Sequence, residues 1–510
     1  ILRAKAIAFE NAAGRDREVL DELGNTVLYG HPDAQAILTK IQVENDRLLI
    51  LRNTVEGERP AGFVSYREIG NEDLFGVLKD MELANLVRGK SSREILLITG
   101  IYAREDGTGD SGVIRDAPQQ LLVEVLAKEL EKNYSFALFV AERGTATKEV
   151  VYVLERQGFI RPHMADENDK RTIYMVDMHE PLMFLHNLDT TIKEPFASNP
   201  AVLDAVEKNH KKLQIAMTKL YPGNLVLSLS SGIMYHRLVD RITALNDVPR
   251  EPLVPRRLGK NMCVPFGKIL RGKVVPNTVT KTLHTDKVYE PDLNSFTIEP
   301  FPYYSPLKSQ IETIKSFDRP VILVDDLVHT ANRLQVLVPQ LREDGIPIKK
   351  VVVGVLSGYG RDLMQCLKVP VESIYSMPNL RQWFVESTLY PFIGGDTVRR
   401  EEMKVAGLQP SINMILPYAT PRLSGCSREA LVEFSACCIE NSRDLFQVLE
   451  AEYRKMYAKN LTLSRLSEAV ILPLCPDKGS CMEYDENLAA SVYLENDLET
   501  LWRMKEFLIK

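Results

Sequence analysis

The stretch VILVDDLVHTANR, residues 321–333, decides how this chain is read. An apolar run ends on Asp325 and Asp326, three further residues follow, and Thr330 leads into NRLQVLVPQLRED (332–344), which has the apolar spacing of a helix. A buried strand therefore leaves its sheet on two carboxylates just before a helix begins. In open α/β sheets the carboxyl edge is where ligands bind. The start of a helix offers N–H groups without intrahelical partners and a partial positive charge, so an anion can sit there while carboxylates accept hydrogen bonds from hydroxyls.

Working outward, NLVLSLSS (224–231) reads as an earlier strand that turns at Gly232 into the helix IMYHRLVDRITAL (233–245). A long basic, proline-containing stretch then runs to Tyr289, and IKKVVVGVLSG (348–358) is a further strand behind the helix that follows Thr330. Strand–helix–strand units of this kind build parallel sheets with right-handed crossovers. On these residues the segment from about 224 to 395 resembles the phosphoribosyltransferase family, whose signature is an apolar strand, two acids and a Thr-containing phosphate loop. The resemblance implies that Asp325 and Asp326 are the catalytic pair and hold the ribose hydroxyls. It gives the 5′-phosphate to Thr330, Ala331 and Asn332, and the pyrophosphate to Ser230, Ser231 and Gly232. Arg333, standing where the family has the closing threonine of its loop, is expected to pair with phosphate oxygens. Magnesium would arrive with phosphoribosyl pyrophosphate rather than in a protein cage. The basic stretch with Lys260, Lys268, Arg271, Lys273, Lys281 and Lys287 either closes over the diphosphate or forms a solvated face. His329 is expected to be a packed or solvated residue rather than a catalyst.

Toward the N-terminus, RLLILRN (47–53) and AGFVSYREI (61–69) read as a hairpin, and REILLITGIYA (93–103) as a strand leading through a Gly-rich loop into the helix APQQLLVEVLAKELEK (117–132). SFALFVAE (135–142), the helix TKEVVYVLERQ (147–157) closed by Gly158, and RTIYMVDM (171–178) follow. From about residue 28 to 178 this order is similar to that of the GNAT acyltransferases. The family's pyrophosphate loop aligns with RDAPQQ (115–120), which implies Arg115, Gln119 and Gln120 as acetyl-CoA contacts. Pro118 and Gln120 stand where the family has glycines, and proline removes a donor. The family's general-acid tyrosine falls on Leu154, with Tyr152 two residues away on a different helical face.

Beyond about Val398, SREALVEFSACCIENSRDLFQVLEAEYRKMY (427–457), with Ser427 as N-cap, and ENLAASVYLENDLETLWRMKEFL (486–508) are long amphipathic helices. The expected fold is thus α/β and multidomain. It comprises a GNAT-like mixed-sheet domain (1–185), a phosphoribosyltransferase-like parallel-sheet domain (186–397) and a mainly helical C-terminal module (398–510).

Composition supports a globular chain: 510 residues exceed one core, and 45% apolar with 26% charged residues is ordinary usage. A net charge of −6 repels polyanions, so nucleic acid is not expected as a partner. No apolar window reaches membrane-span length, the first residues lack the charged, apolar and small-residue stages of a signal peptide, and the seven scattered cysteines read as reduced thiols; a cytoplasmic location is expected. Cys475 and Cys481 read as loop cysteines, and no metal ligand set is expected. A start at Ile1 rather than Met leads to the expectation of a larger parent polypeptide, and a homo-oligomer is the other partner expected.

Three readings follow in order: a protein that binds a ribose phosphate or phosphoribosyl pyrophosphate and transfers the phosphoribosyl group; an acyl-CoA-dependent N-acyltransferase; and a non-catalytic assembly unit with two degenerate enzyme folds.

Overall fold

The apolar runs pair into three sheets. A computed structural model describes residues 7–54, 57–91, 94–104, 116–142, 147–162, 171–255, 257–302, 304–399, 408–478 and 484–508. In the first sheet β1 (Ile7–Ala13), β2 (Arg47–Asn53), β3 (Arg59–Ile69) and β4 (Ile95–Ala103) are successively antiparallel. β5 (Phe136–Glu142) pairs parallel to β4 over only Leu96–Ile98 against Ala137–Phe139, after which the two strands part. β6 (Arg171–His186) then runs antiparallel to β5. The GNAT-like reading of this part holds: a mixed sheet with one parallel pair near its middle, backed by the helix Ala117–Glu129.

The strand read as 171–178 continues through Pro181 to His186 because its second half has partners of its own. Leu182 to His186 pair parallel with β7 (Asn224–Ser230) on one side, and Leu182 to Leu185 pair parallel with β15 (Gln382–Val385) on the other. β7, expected in the second sheet, therefore extends the first.

The second sheet is parallel throughout, in the order β14 (Val371–Met377), β13 (Ile348–Ser357), β12 (Val321–Val328), β8 (Met262–Pro265), β9 (Val279–Thr280). Its Val- and Ile-rich strands are apolar on both faces because helices cover both. Ile322, Val324, Val352 and Val355 join Met234 and Leu238 of the helix Ser231–Leu245 in the core shared with the first sheet. Leu323, Val351 and Val353 face the helices Leu307–Lys315 and Asn332–Glu343. The two sheets are also joined by a buried polar triad. Glu124 of helix Ala117–Glu129 lies 2.8 Å from Arg237, and the Tyr375 hydroxyl donates to Glu124 at 2.9 Å. Burial alone would raise the Glu124 carboxyl, but the charges of Arg237 and Lys128 hold it below its ordinary range.

The third sheet, β11 (Phe296–Pro300), β10 (Thr285–Tyr289), β16 (Asp396–Val398), β17 (Gln409–Ile412), β18 (Leu474–Pro476), draws strands from both the middle and the end of the chain. The C-terminal region is therefore not helical alone. Its helices Arg428–Tyr457 and Ala490–Leu508 bury Phe434, Phe446, Leu449 and Leu494 against Val202, Leu213 and Met217 of the helix Pro200–Thr218. Ser427 caps the first of these, its hydroxyl accepting from Ala430 N–H at 3.1 Å. No described helix is long and apolar enough to cross a membrane.

Candidate functional site

β8 sends the chain outward to β9, whereas β12 sends it the other way to β13, so the strand order reverses between them. Such a reversal leaves a crevice at the carboxyl ends, because neighbouring connections diverge. Asp325 and Asp326 sit at that crevice. The loop after β8 closes its floor: Lys268 N–H donates to Asp326 at 2.7 Å and Ile269 N–H at 2.9 Å. A Cβ on Gly267 would lie 2.5 Å from Asp326 Oδ1 and 2.7 Å from Asp325 Oδ1, so only glycine admits this approach.

A cleft of about 520 Å³ opens above the pair. Asp325, Asp326, Thr330, Ala331, Asn332 and Arg333 all line it, so the residues read from 321–333 converge as expected. The helix that starts at Asn332 directs its first N–H groups to this end, and Ala331 before it adopts φ +49°, the left-handed conformation that a glycine would take freely. The Thr330 hydroxyl accepts from Asn332 Nδ2 at 2.8 Å, which orients it at the loop. Arg333 lies 3.9 Å from Asp325 rather than free in solvent.

Burial, and then the Asp326 charge, raises the Asp325 carboxyl to about 7 against the opposing pull of Arg333 and the Asp326 N–H. The Asp325 carboxyl is thereby shifted toward its protonated form, in which it can donate as well as accept. Opposite the pair, Lys268, Lys287, Asp286 and Asp396 also line the cleft. Burial pushes the Lys268 ammonium down and the Asp396 carboxyl up. Both charges are held in a poorly solvated pocket, where a ligand's own charge counts for more. Met234, Phe296 and Trp383 supply an apolar wall.

The basic stretch divides. Lys268 and Lys287 enter the cleft, Arg271 lies 5.0 Å over the Phe301 ring, Lys273 lies 4.4 Å over the Tyr235 ring, and Lys260 and Lys281 are exposed. Ser230, Ser231 and Gly232 do not line the cleft. Ser230 is the cap of helix Ser231–Leu245, accepting from Ile233 N–H, and Ser231 is buried. That hydroxyl is used by its own helix. His329 contacts Ser357 Oγ through Nδ1 at 2.8 Å, and burial keeps its imidazole below the ordinary range. Lys268, Lys287, Asp286 and Asp396 were not singled out as one set with the acid pair. Lys268 and Lys287 sat in the basic stretch, but the two aspartates carry no local motif.

In the first sheet, Arg115 and the Gly-rich loop lie outside the described residues, as does Cys481. Gln119 is buried, and the helix start is occupied by Asp116, whose carboxylate lies 3.3 Å from Arg156. An acid at that position repels a pyrophosphate. Leu154 is fully buried and Tyr152 exposed. Among the described residues, buried Gln119 is not placed as an acetyl-CoA contact and Leu154 offers no acid group.

The class these observations define is a mixed α/β chain in which a GNAT-like mixed sheet is joined to a parallel sheet with an acid-lined cleft. No protein-family model and no curated protein matches the chain. Among solved structures it is similar to a putative GNAT acetyltransferase from Desulfovibrio desulfuricans (11% identity, 34% of this chain and 99% of that one, TM-score 0.24). It is likewise similar to the catalytic domain of Tetrahymena GCN5 histone acetyltransferase in complex with coenzyme A (11%, 34% and 93%, TM-score 0.23). A third is the NatC complex bound to Gag peptide and CoA (11%, 34% and 98%, TM-score 0.22). The GNAT-like assignment itself stands on the strand order described above.

Proposed function

We propose that the cleft at the end of β12 binds a phosphorylated ribose, with magnesium phosphoribosyl pyrophosphate as the ligand class, and that transfer of the phosphoribosyl group is the reaction it would serve. One observation carries this reading: Asp325 and Asp326 face the same cavity as Thr330, Arg333 and the start of the helix Asn332–Glu343. The aspartates take the ribose hydroxyls, and the loop N–H groups with Arg333 take the 5′-phosphate. Lys268 and Lys287 stand where a diphosphate would extend. The Trp383 and Phe296 wall suits a planar acceptor or base. Magnesium, carried in on the diphosphate, would offset the negative charge contributed by the four cleft aspartates.

A thermal-shift panel tests this. A ligand at about a hundred times its dissociation constant stabilises the folded chain by about 2.7 kcal/mol. Magnesium phosphoribosyl pyrophosphate or ribose 5-phosphate is expected to raise the melting temperature of the native chain but not of Asp326→Asn. A null result with both sugars would dispose of the reading.

A second reading, N-acyl transfer from an acyl-CoA, has one feature in its favour: β4 and β5 pair in parallel over three residues and then separate beside the helix Ala117–Glu129. A shift produced by acetyl-CoA alone would move this reading ahead of the first.

A further inference from the structure

Behind the cleft wall a second group of side chains converges. β6 and β15 are paired in register up to Leu185 and Val385, so His186 and Glu386 are the next residues of each strand end. Neither lines the cleft, although Leu185 and Val385 do; the His186 ring packs 4.7 Å from that of Phe184, and Glu386 opens the short helix Glu386–Leu389. The helix Pro200–Thr218 presents His210 to them. His210 Nε2 lies 2.7 Å from Glu386 Oε2, the His186 and His210 rings are 4.2 Å apart between centroids, and one candidate ligand atom from each residue lies within 4.8 Å of the others.

The polar atoms of this group are incompletely satisfied. Glu386 is wholly buried, and neither its Oε2 nor His210 Nε2 makes an aligned hydrogen bond despite their close approach. His186 Nδ1 is buried with no hydrogen-bond partner, while its Nε2 meets the Ser228 hydroxyl. Leaving such atoms unsatisfied is costly. A metal-bound histidine characteristically spends its second nitrogen on an outer partner that fixes the ring, as Ser228 does for His186. The frame is also fixed. Ser387 N–H donates to Asn187 Oδ1 at 2.9 Å, and Asn187 Nδ2 donates to Ser387 Oγ at 2.9 Å, so the residues just beyond His186 and Glu386 clamp the two strand ends together.

We propose that His186, His210 and Glu386 bind one divalent first-row transition ion of the zinc or iron(II) class, with at least one coordination position left to water. Two imidazoles and a carboxylate form the donor set such ions favour. With bonds of about 2.0–2.2 Å, ligand atoms around a tetrahedral ion stand roughly 3.4 Å apart, within reach of small side-chain rotations here. The site is separate from the cleft and does not depend on what the cleft binds.

The test strips the full chain with chelator, dialyses it against Zn²⁺ and measures retained metal by elemental analysis, alongside Co²⁺ absorption in the visible. About one zinc per chain is expected, together with the intense bands of a low-coordinate nitrogen and oxygen site. Glu386→Gln and His210→Gln, shown folded by circular dichroism, should bind at least about tenfold more weakly. Less than about a tenth of an ion per native chain, or equal retention by both variants, as cysteine binding would give, overturns the proposal. If neither variant folds, the cobalt spectrum of the native chain decides: sulfur-to-metal charge-transfer bands, or no bands, refute it.

Discussion

Asp325→Asn should make the protein more stable above neutral pH and less able to bind its ligand. Burial, with the neighbouring Asp326 charge, lifts the Asp325 carboxyl from 3.8 to about 7. A carboxyl raised in this way holds its proton more tightly in the folded chain than in the unfolded one. Its favourable contribution is therefore fully present below about pH 4 and is lost as pH rises through about 7. At 1.36 kcal/mol per pKa unit the rise sets a ceiling of about 4 kcal/mol. Asparagine keeps the acceptor that meets Asp326 N–H at 2.8 Å and sheds the charge. Melting temperatures of native and variant chains at about pH 4 and pH 8 check this. The two should nearly coincide at the lower pH, and the variant should melt several degrees higher at the upper one, having lost the shift given by ribose 5-phosphate. A variant that is less stable at pH 8, or a difference independent of pH, refutes the reasoning.

Gly267→Ala places a methyl 2.5 Å from Asp326 Oδ1, so it should cost about 1–3 kcal/mol in urea unfolding and abolish the ribose 5-phosphate shift. Glu124→Gln leaves the half-buried Arg237 without its charge partner, and should destabilise by about 1.5–3 kcal/mol at pH 7. Because the Glu124 carboxyl is held low in the folded chain, this difference should shrink as pH falls through that low value, which melting curves between about pH 7 and pH 3 would follow. Ser427→Ala removes the cap on helix Arg428–Tyr457 and should lower stability by about 1 kcal/mol, read from the denaturation midpoint.

The acid pair was legible because its information is local: a buried strand, two carboxylates, a threonine and a helix occur within thirteen consecutive residues, and backbone geometry brings them to one place. The hairpin and alternating strands of the first sheet were legible for the same reason, and Ser427 announced its helix. What could not be read depended on pairings between distant segments. β6 runs past Pro181 only because β7 and β15 flank it, and β15 lies some two hundred residues further along the chain. The third sheet combines a hairpin at 285–300 with strands beyond residue 396, so a boundary near 397 divides hydrogen-bonded neighbours. Ser230 has the right residue type for a phosphate loop, yet it serves as a helix cap, a role equally favoured by a hydroxyl at a strand end. His186, His210 and Glu386 have no motif spacing at all, since a strand end, a helix and a second strand end supply one each.

Isothermal titration calorimetry of ribose 5-phosphate into the native chain and into Asp326→Asn puts the cleft to its most direct trial. Saturable binding near one ligand per chain, lost in the variant, is the predicted outcome. Equal heats from both proteins, or none from either, would contradict it.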